Sequence, residues 1–390
     1  MIIQNGNIFT LNGTFSVGTI KVAKDKIAQL DMTPAYEAID KNTGETTIDA
    51  RGLYVLPGLV DIHTHGALGV DFCEVNKEKL CKFEEYQVQN GVTTIFATTM
   101  TLPEEKLINI MEKTAEFKKT DSKDIILGIS MEGPFLSEKK RGAQEKNSIV
   151  DPDIAMFKKI QKKSNNLIYQ VVVAPEEKGA MEFIREISKD TIVSLGHSTA
   201  DYETAKQGFL EGATHVTHLF NGMEPFLHRE PGIVGAAFDN PDVFVELISD
   251  GVHVHPAVVR AMFSMFGGNR ICMISDSLSA TGMEDGKYTL GGQNIIKEGK
   301  IATLESGTIA GSVCNLYECL KIAVKDMKIP LEEAILACTK TPAKSLNVDD
   351  KCGILEEGRK ADILMVDKDL NIRYVLKNGK IIRENNSYEI

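Results

Sequence analysis

The first residues able to do chemistry are two histidines at the end of an apolar run. His63 directly follows residues 56–62 (LPGLVDI), and His65 comes two residues later. In a strand, side chains two residues apart share one face, so both imidazoles could bind one metal ion. The spacing also fits two solvated loop histidines, and so short a motif does not decide between the two interpretations.

Further ligand-type side chains follow other apolar runs of the chain. In order, they are Glu132, His197, His218, the segment 250–253 (DGVH) and Asp276. Taken singly, Glu132 could cap a helix, and His197 or His218 could be a hydrogen-bonded core histidine. Their joint occurrence favours one shared site. His215 lies three residues before His218 and should face the other way along a strand, so we expect it to be structural.

Eight apolar, β-rich runs carry these residues. The runs are 54–62, 92–98, 125–131, 167–174, 191–195, 214–219, 243–248 and 271–274, and amphipathic segments such as 78–89, 104–117 and 180–188 lie between them. This alternation predicts an α/β fold with a parallel sheet that is buried on both faces. Eight such units predict a closed (β/α)₈ TIM-like barrel, in which catalytic groups lie at the C-terminal ends of the strands.

The two ends of the chain have a different pattern. Residues 1–55 and 353–390 contain short β-rich segments with glycine and asparagine between them, including an Asn378-Gly379 turn. We predict that both ends pair into one small β-sandwich domain, made of residues 1–55 plus 353–390. The barrel is then expected to span residues 56–352.

The composition argues against several other functions. The 390 residues carry a net charge of −11, which is unlike a nucleic-acid-binding protein. No apolar run reaches transmembrane length, and residues 1–6 (MIIQNG) lack the regions of a signal peptide, so no membrane partner is expected. The seven cysteines are odd in number and without C-x-x-C spacing, so we expect reduced thiols and a cytoplasmic enzyme.

Histidine and carboxylate ligands predict a divalent metal, with Zn, Fe, Co and Mn all possible. Such an ion lowers the pKa of bound water and polarises a carbonyl, while a nearby carboxylate can move the proton. This chemistry is metal-assisted hydrolysis of an amide-like bond. The sequence has no G-x-S-x-G elbow for a serine nucleophile and no Walker loop for a nucleotide.

Several longer segments point to a known family. The relevant segments are 57–65 (PGLVDIHTH), 131–135 (MEGPF), 196–198 (GHS), 218–223 (HLFNGM), 229–232 (REPG), 250–253 (DGVH), 275–276 (SD) and 358–363 (GRKADI). Across essentially its whole length the chain resembles the amidohydrolase superfamily. The segments with Glu-Gly-Pro-Phe, His-Leu-Phe-Asn and Arg-Glu-Pro-Gly resemble in particular its deacetylases of N-acetylated sugar phosphates.

The resemblance implies roles for the candidate ligands. Glu132, His197 and His218 would hold the principal metal, and Asp276 would be the catalytic acid and base. His63 and His65 would hold a second metal, although some members of the family replace this pair and use one. One or two ions per subunit are therefore expected.

The resemblance also implies a binding site for a small phosphosugar. The residues concerned are Ala143, Asn221, Gly222, Arg229, Asp250, Gly251, Val252, His253, Ile309, Ala310 and Gly311. In the family the phosphate-contacting arginine comes from the neighbouring subunit, which implies a functional homodimer with Arg229 acting in trans. Some members carry a sugar-contacting histidine where this chain has Gln144, so recognition of the sugar hydroxyls is expected to differ.

The activity implied is hydrolysis of N-acetyl-D-glucosamine 6-phosphate to D-glucosamine 6-phosphate and acetate, in amino-sugar catabolism. A dihydroorotase-like or hydantoinase-like cyclic amidase is the alternative enzyme. Those relatives usually bridge two metals with a carboxylated lysine, whereas Glu132 occupies the comparable position here. A barrel that has lost catalysis is the non-enzyme alternative, and it predicts missing ligands.

Overall fold

The computed structural model describes residues 1–33, 46–121 and 123–385. Strands and helices are numbered along the chain. The strands are β1 Ile2–Phe9, β2 Phe15–Ala23, β3 Lys26–Asp31, β4 Thr47–Asp49, β5 Tyr54–Pro57, β6 Leu59–Thr64, β7 Gly66–Ala67, β8 Val70–Asp71, β9 Val92–Thr99, β10 Ile126–Met131, β11 Ile168–Val173, β12 Ile192–Leu195, β13 His215–Val216, β14 Phe244–Ile248, β15 Ile271–Ile274, β16 Gly286–Leu290, β17 Gln293–Glu298, β18 Ile301–Leu304, β19 Ile363–Val366, β20 Ile372–Lys377 and β21 Lys380–Glu384. The helices are α1 Lys77–Gln89, α2 Glu104–Lys118, α3 Ile154–Lys163, α4 Ala180–Ile187, α5 Tyr202–Leu210, α6 Gly232–Asp239, α7 Pro256–Phe266, α8 Leu316–Lys325, α9 Leu331–Cys338 and α10 Lys340–Ser345.

A parallel sheet of eight strands forms the barrel. Its order is β6, then β9 through β15, and each strand pairs in parallel with the next. The strands are almost wholly buried on both faces, because helices cover the outside and side chains fill the interior. The eight predicted runs thus correspond to the eight strands, and the predicted barrel is confirmed.

The barrel closes between the segment after β15 and the end of β6. Asp276 N donates to His63 O at 2.9 Å, and His65 N donates to Ser277 O at 2.7 Å. The seam that closes the sheet therefore carries three of the predicted site residues. Their backbones are hydrogen-bonded to one another, so their relative positions are set by barrel closure itself.

The two chain ends form one mixed sheet, in the order β21, β20, β19, β5, β1, β2 and β3, with β4 also paired to β1. Its own apolar core includes Ile8, Ile20, Val55 and Ile363. Asn378 has φ 49° and Gly379 has φ 71°, which is the backbone that a two-residue hairpin turn requires. These observations confirm the predicted β domain built from both termini. Strand β5 crosses the predicted boundary at residue 55, and the division into domains stays a prediction.

A three-stranded antiparallel sheet, β16–β18, follows the last barrel strand and was not predicted. It packs through Leu290, Ile295 and Ala302 against Met100 and Leu278 beside the barrel mouth. The predicted run at 214–219 is also shorter than expected, because β13 ends at Val216. Among the described residues, no helix combines the length and apolar character needed to cross a membrane.

Gly58 separates the two sheets. The single apolar run predicted at 54–62 is in fact two strands: β5 belongs to the terminal sheet and β6 to the barrel. Gly58 N donates to Asp362 O at 2.9 Å, which ties this break to β19. A Cβ atom at Gly58 would lie 2.1 Å from Thr93 Oγ1, so only glycine lets β6 approach β9 here.

Replacing Gly58 by alanine should destabilise the protein by about 1–3 kcal/mol, because the new methyl group overpacks a site with no free volume. The measurement is the free energy of unfolding from denaturant titration. Gly286→Ala is the matched control, because a Cβ at that strand position would have its nearest neighbour at 3.7 Å. Equal stability of the Gly58→Ala and Gly286→Ala variants would contradict this account of the junction.

Candidate functional site

Every predicted ligand lies at the C-terminal end of a barrel strand. His63 is in β6 and His65 follows it, Glu132 follows β10, His197 follows β12, His218 follows β13 and Asp276 follows β15. His197, His218 and Asp276 have φ values of 47°, 29° and 49°. Non-glycine residues adopt this left-handed region uncommonly, and such conformations cluster at functional sites. Their backbones turn sharply where the strands end.

Glu132 lies at the centre of the cluster. Its Oε1 atom is 3.1 Å from His197 Nε2 and 2.8 Å from His218 Nε2. Its Oε2 atom is 3.4 Å from His65 Nε2, and His65 Nε2 is 3.2 Å from Asp276 Oδ1. The ligand atoms form two groups, one of Glu132, His197 and His218 and one of His63, His65 and Asp276, each within 4.8 Å.

All four imidazoles present the same nitrogen to the centre. His65, His197 and His218 donate their Nδ1 protons to backbone carbonyls, those of Thr98, Lys140 and Asn221, at 3.2, 2.8 and 3.1 Å. His63 donates from Nδ1 to the carboxylate of Glu246 at 2.9 Å. An occupied Nδ1 fixes the ring and leaves the Nε2 lone pair for a metal.

The buried charges of the cluster shift one another's pKa values. Burial alone would raise the pKa of Glu132, but the charge on His63 and hydrogen bonds from His197 and His218 lower it well below its usual value. Burial would lower the pKa of His65, yet hydrogen bonds with Asp276 and Glu132 raise it to about 9. Glu132 is therefore ionised and His65 protonated in the metal-free cluster, and a metal ion that binds there displaces the imidazole proton.

The residues present fit a divalent metal. His63 Nε2 is fully buried and has no hydrogen-bond partner among the described residues, although it points towards Glu132 and Asp276 at 3.6 Å from each. A buried nitrogen of this kind requires a partner from outside the polypeptide, such as a metal ion. Imidazole nitrogens with carboxylate oxygens suit Zn²⁺ and its first-row neighbours.

Sequence reasoning missed Glu246 and Gln170, two buried residues that lie beneath the cluster. Glu246, in β14, accepts from His63 Nδ1 and also from Gln170 Nε2 at 2.7 Å. Burial opposes ionisation of Glu246, but the charge and hydrogen bond of His63 lower its pKa. A visible signal existed, since a carboxylate inside an apolar run is almost never fully buried without a partner.

Gln144 also lies in the cluster. Its Nε2 atom donates to Glu132 Oε2 at 2.6 Å, and its Oε1 atom accepts from Thr101 N at 2.7 Å. In this chain the amide therefore orients the central carboxylate.

His215 behaves as expected: it is buried, stacks on Phe244 at 5.5 Å, and burial lowers its pKa to about 4.

The cluster opens into a cavity of about 320 Å³. The lining includes many residues predicted to contact substrate, namely Ala143, Asn221, Gly222, His253, Ile309 and Gly311, and it also includes Gln144. Asp250 does not line the cavity but holds His253, whose Nδ1 donates to Asp250 Oδ2 at 2.7 Å. Gly251, Val252 and Ala310 are also outside the lining, beside residues that form it.

Arg229 is separate from this cavity. It lines a different cavity of about 550 Å³, between the loop 224–232 and the start of α5. Its Nη1 atom lies 2.6 Å from His228 Nε2. Within one chain, the structure therefore does not bring Arg229 together with Asn221, Gly222 and His253.

Several known proteins are similar to this chain in sequence and in fold. The model of the Amidohydrolase family matches residues 54–382. N-acetylglucosamine-6-phosphate deacetylases from Bacillus subtilis (strain 168) and Vibrio furnissii are 32% and 36% identical, covering 98% and 92% of this chain and 96% and 91% of theirs. A solved structure of N-acetyl-D-glucosamine-6-phosphate deacetylase from Mycobacterium smegmatis, in complex with N-acetyl-D-glucosamine-6-phosphate, has a TM-score of 0.91, with 29% identity over 98% of this chain and 99% of that one. This chain therefore belongs to the amidohydrolase family, within its group of N-acetylglucosamine-6-phosphate deacetylases.

Proposed function

We propose that this protein hydrolyses N-acetyl-D-glucosamine 6-phosphate to D-glucosamine 6-phosphate and acetate, in amino-sugar catabolism. The observation that carries the proposal is one cluster of ligand-type residues, of which His65, Glu132, His197, His218 and Asp276 line a single cavity. The relatives named above carry the same activity in their names over the full length of the match. A cyclic amidase is not favoured, because Glu132 lies where those enzymes would carry a modified lysine.

The principal ion is assigned to Glu132, His197 and His218, and a second ion to His63 and His65 with Asp276 alongside. The metal is Zn, Fe, Co or Mn, because imidazole and carboxylate suit each of them. When bound, such an ion polarises a carbonyl and lowers the pKa of water. The remaining steps belong to the side chains of the chain itself.

Asp276 moves the protons. Its carboxylate lies at the cavity wall, and hydrogen bonding to His65, against the effect of burial, lowers its pKa, so it is ionised and able to accept. It takes a proton from the attacking water and donates that proton to the nitrogen of the breaking amide, since an amine leaves poorly without one. Its strained backbone, fixed to His63 O at the barrel seam, holds the carboxylate in place.

The wild-type protein should release acetate from N-acetylglucosamine 6-phosphate, and Asp276→Asn should lose at least about 10²–10⁴-fold in kcat because the amide cannot accept the proton. Asp153→Asn is the matched control. It caps α3, a position where asparagine serves as well, and should leave kcat unchanged. More than about a tenth of wild-type activity in Asp276→Asn would remove this residue from the mechanism. Turnover of dihydroorotate or hydantoin in place of the sugar would refute the proposed function.

Metal content should separate the two ligand groups. Glu132→Gln should lose the principal ion, because the central carboxylate faces both His197 and His218. His63→Gln should keep it, since His63 belongs to the other group. Elemental analysis of both purified variants gives bound metal per chain. If the two variants lost all metal equally, the assignment of the principal ion would be wrong.

The charge of the cavity lining supports a contribution from a second subunit. Among the described residues that line it, none is a lysine or arginine, and a phosphate dianion is bound best by charged donors in a fixed fork. Arg229 lies on the loop 224–232, whose neighbours Phe226 and Leu227 are exposed. We infer a homodimer in which Arg229 reaches the partner's cavity.

All seven cysteines are free, which supports a reducing, cytoplasmic location.

Arg229→Ala should raise KM for the phosphosugar by at least about tenfold, the loss expected for a charge-assisted bidentate contact. It should change little for N-acetylglucosamine, which lacks the phosphate. Kinetics with both substrates provide the test. Mixing Arg229→Ala subunits with Asp276→Asn subunits should restore activity, because one site of each hybrid dimer then carries neither defect. If mixing restores nothing, the arginine does not act in trans.

A further inference from the structure

Glu246 is a buried carboxylate for which the proposed reaction has no use. It lies in β14 on the barrel interior and is inaccessible to solvent. Three donors converge on it: His63 Nδ1 at 2.9 Å and His218 N at 3.2 Å on Oε2, and Gln170 Nε2 at 2.7 Å on Oε1. Donors on both oxygens are the environment of an ionised carboxylate. Burying such a charge is strongly unfavourable unless it is paired, so its position below the cluster needs a reason.

The hydrogen bond between Glu246 and His63 explains why a carboxylate is buried at this position. The other three site histidines donate from Nδ1 to neutral backbone carbonyls, whereas His63 donates to a full negative charge. A carboxylate partner fixes the ring and makes the opposite nitrogen a more basic ligand. That nitrogen, Nε2, is the one with no hydrogen-bond partner among the described residues, and it points to the space beside Glu132 and Asp276.

We propose that Glu246 is the positioning residue of the second metal site: it orients His63 through Nδ1 so that Nε2 binds the ion held with His65. The inference rests on the proposed function for the presence of metal in this cluster. It adds a chemical reason for two ions, because an imidazole made more basic by a buried carboxylate is suited to a cation. Gln170 completes the arrangement by holding the second oxygen of Glu246.

A purely structural role for Glu246 makes a different prediction. If Glu246 only paired with a protonated His63, its replacement would change the free energy of unfolding and would not distinguish between the two ions. If Glu246 positions His63, its replacement weakens one ion selectively. Metal affinity measured step by step therefore separates the two roles, and it does so without any assay of turnover.

The experiment titrates Zn²⁺ into the chelator-stripped full-length protein, with calorimetry for affinity and elemental analysis for bound ions per chain. Wild type should bind two ions. Glu246→Gln should bind the first with unchanged affinity and the second about 10–100-fold more weakly. Glu84→Gln is the matched control, since Glu84 is a buried carboxylate on α1 outside the cluster, and it should bind both ions as wild type does.

The double variant His63→Gln with Glu246→Gln tests whether Glu246 acts through His63. Its affinity for the remaining ion should equal that of His63→Gln alone. The proposal is overturned by any of three results: a single ion in wild type, two ions of wild-type affinity in Glu246→Gln, or a further loss in the double variant. Equal weakening by Glu84→Gln would also count against it.

A second measurement holds even if Glu246→Gln does not fold. Anomalous diffraction from Zn²⁺-loaded wild-type crystals should place an ion at bonding distance from His63 Nε2, with Nδ1 still on Glu246. An ion found only among Glu132, His197 and His218 would refute the proposal. The acetate assay on wild type is independent of both tests. A protein that binds two ions but releases no acetate would refute the proposed function alone. A protein that releases acetate but binds only one ion would refute only the role of Glu246.

Discussion

The rest of the site depends on the contacts between the Glu132 carboxylate and the imidazoles around it. It is buried, it has His197 and His218 on one oxygen, and His65 and Gln144 on the other. A buried charge of this kind is tolerated only with partners on every side. The three histidines lie at the ends of different barrel strands, and Gln144 lies in the loop between β10 and α3. The site therefore exists only when the barrel is closed, and the backbone hydrogen bonds that close it belong to the site itself.

Closure alone does not orient the side chains, and two further features do. The first is backbone strain: His197, His218 and Asp276 leave their strands in the left-handed region, which each residue adopts only because packing and hydrogen bonds over-determine it. The second is a layer of buried polar groups below the ligands, such as Ser275, whose Oγ donates to Asp61 at 2.5 Å. Burial raises the pKa of Asp61 to about 6 despite that hydrogen bond. Ligands supported in this way keep their geometry when the charge between them changes.

Much of this arrangement could be predicted from the sequence, because ligand positions coincide with strand ends. Once eight apolar runs predicted a barrel, the residue after each run was a candidate. Glu246 was missed because it lies inside a run and not at a strand end, so its only signal was a carboxylate among apolar residues. The β16–β18 sheet was missed although Gly291 and Gly292, with φ of 57° and 85°, are a recognisable hairpin turn. The split at Gly58 depends on the distance to Thr93, which only the folded chain shows.

The charge of the cavity limits what one chain alone offers to a phosphosugar. The metal end concentrates carboxylates, namely Glu132, Asp276 and Glu246, and this suits cations while repelling a phosphate. A substrate with an amide at one end and a dianion at the other must place the dianion away from that cluster. The cavity wall includes Asn221 and His253, and none of the described residues that line it is a lysine or arginine. Arg229 lies outside that wall, so a guanidinium that binds the phosphate would have to come from beyond it, which is what the proposed homodimer would supply.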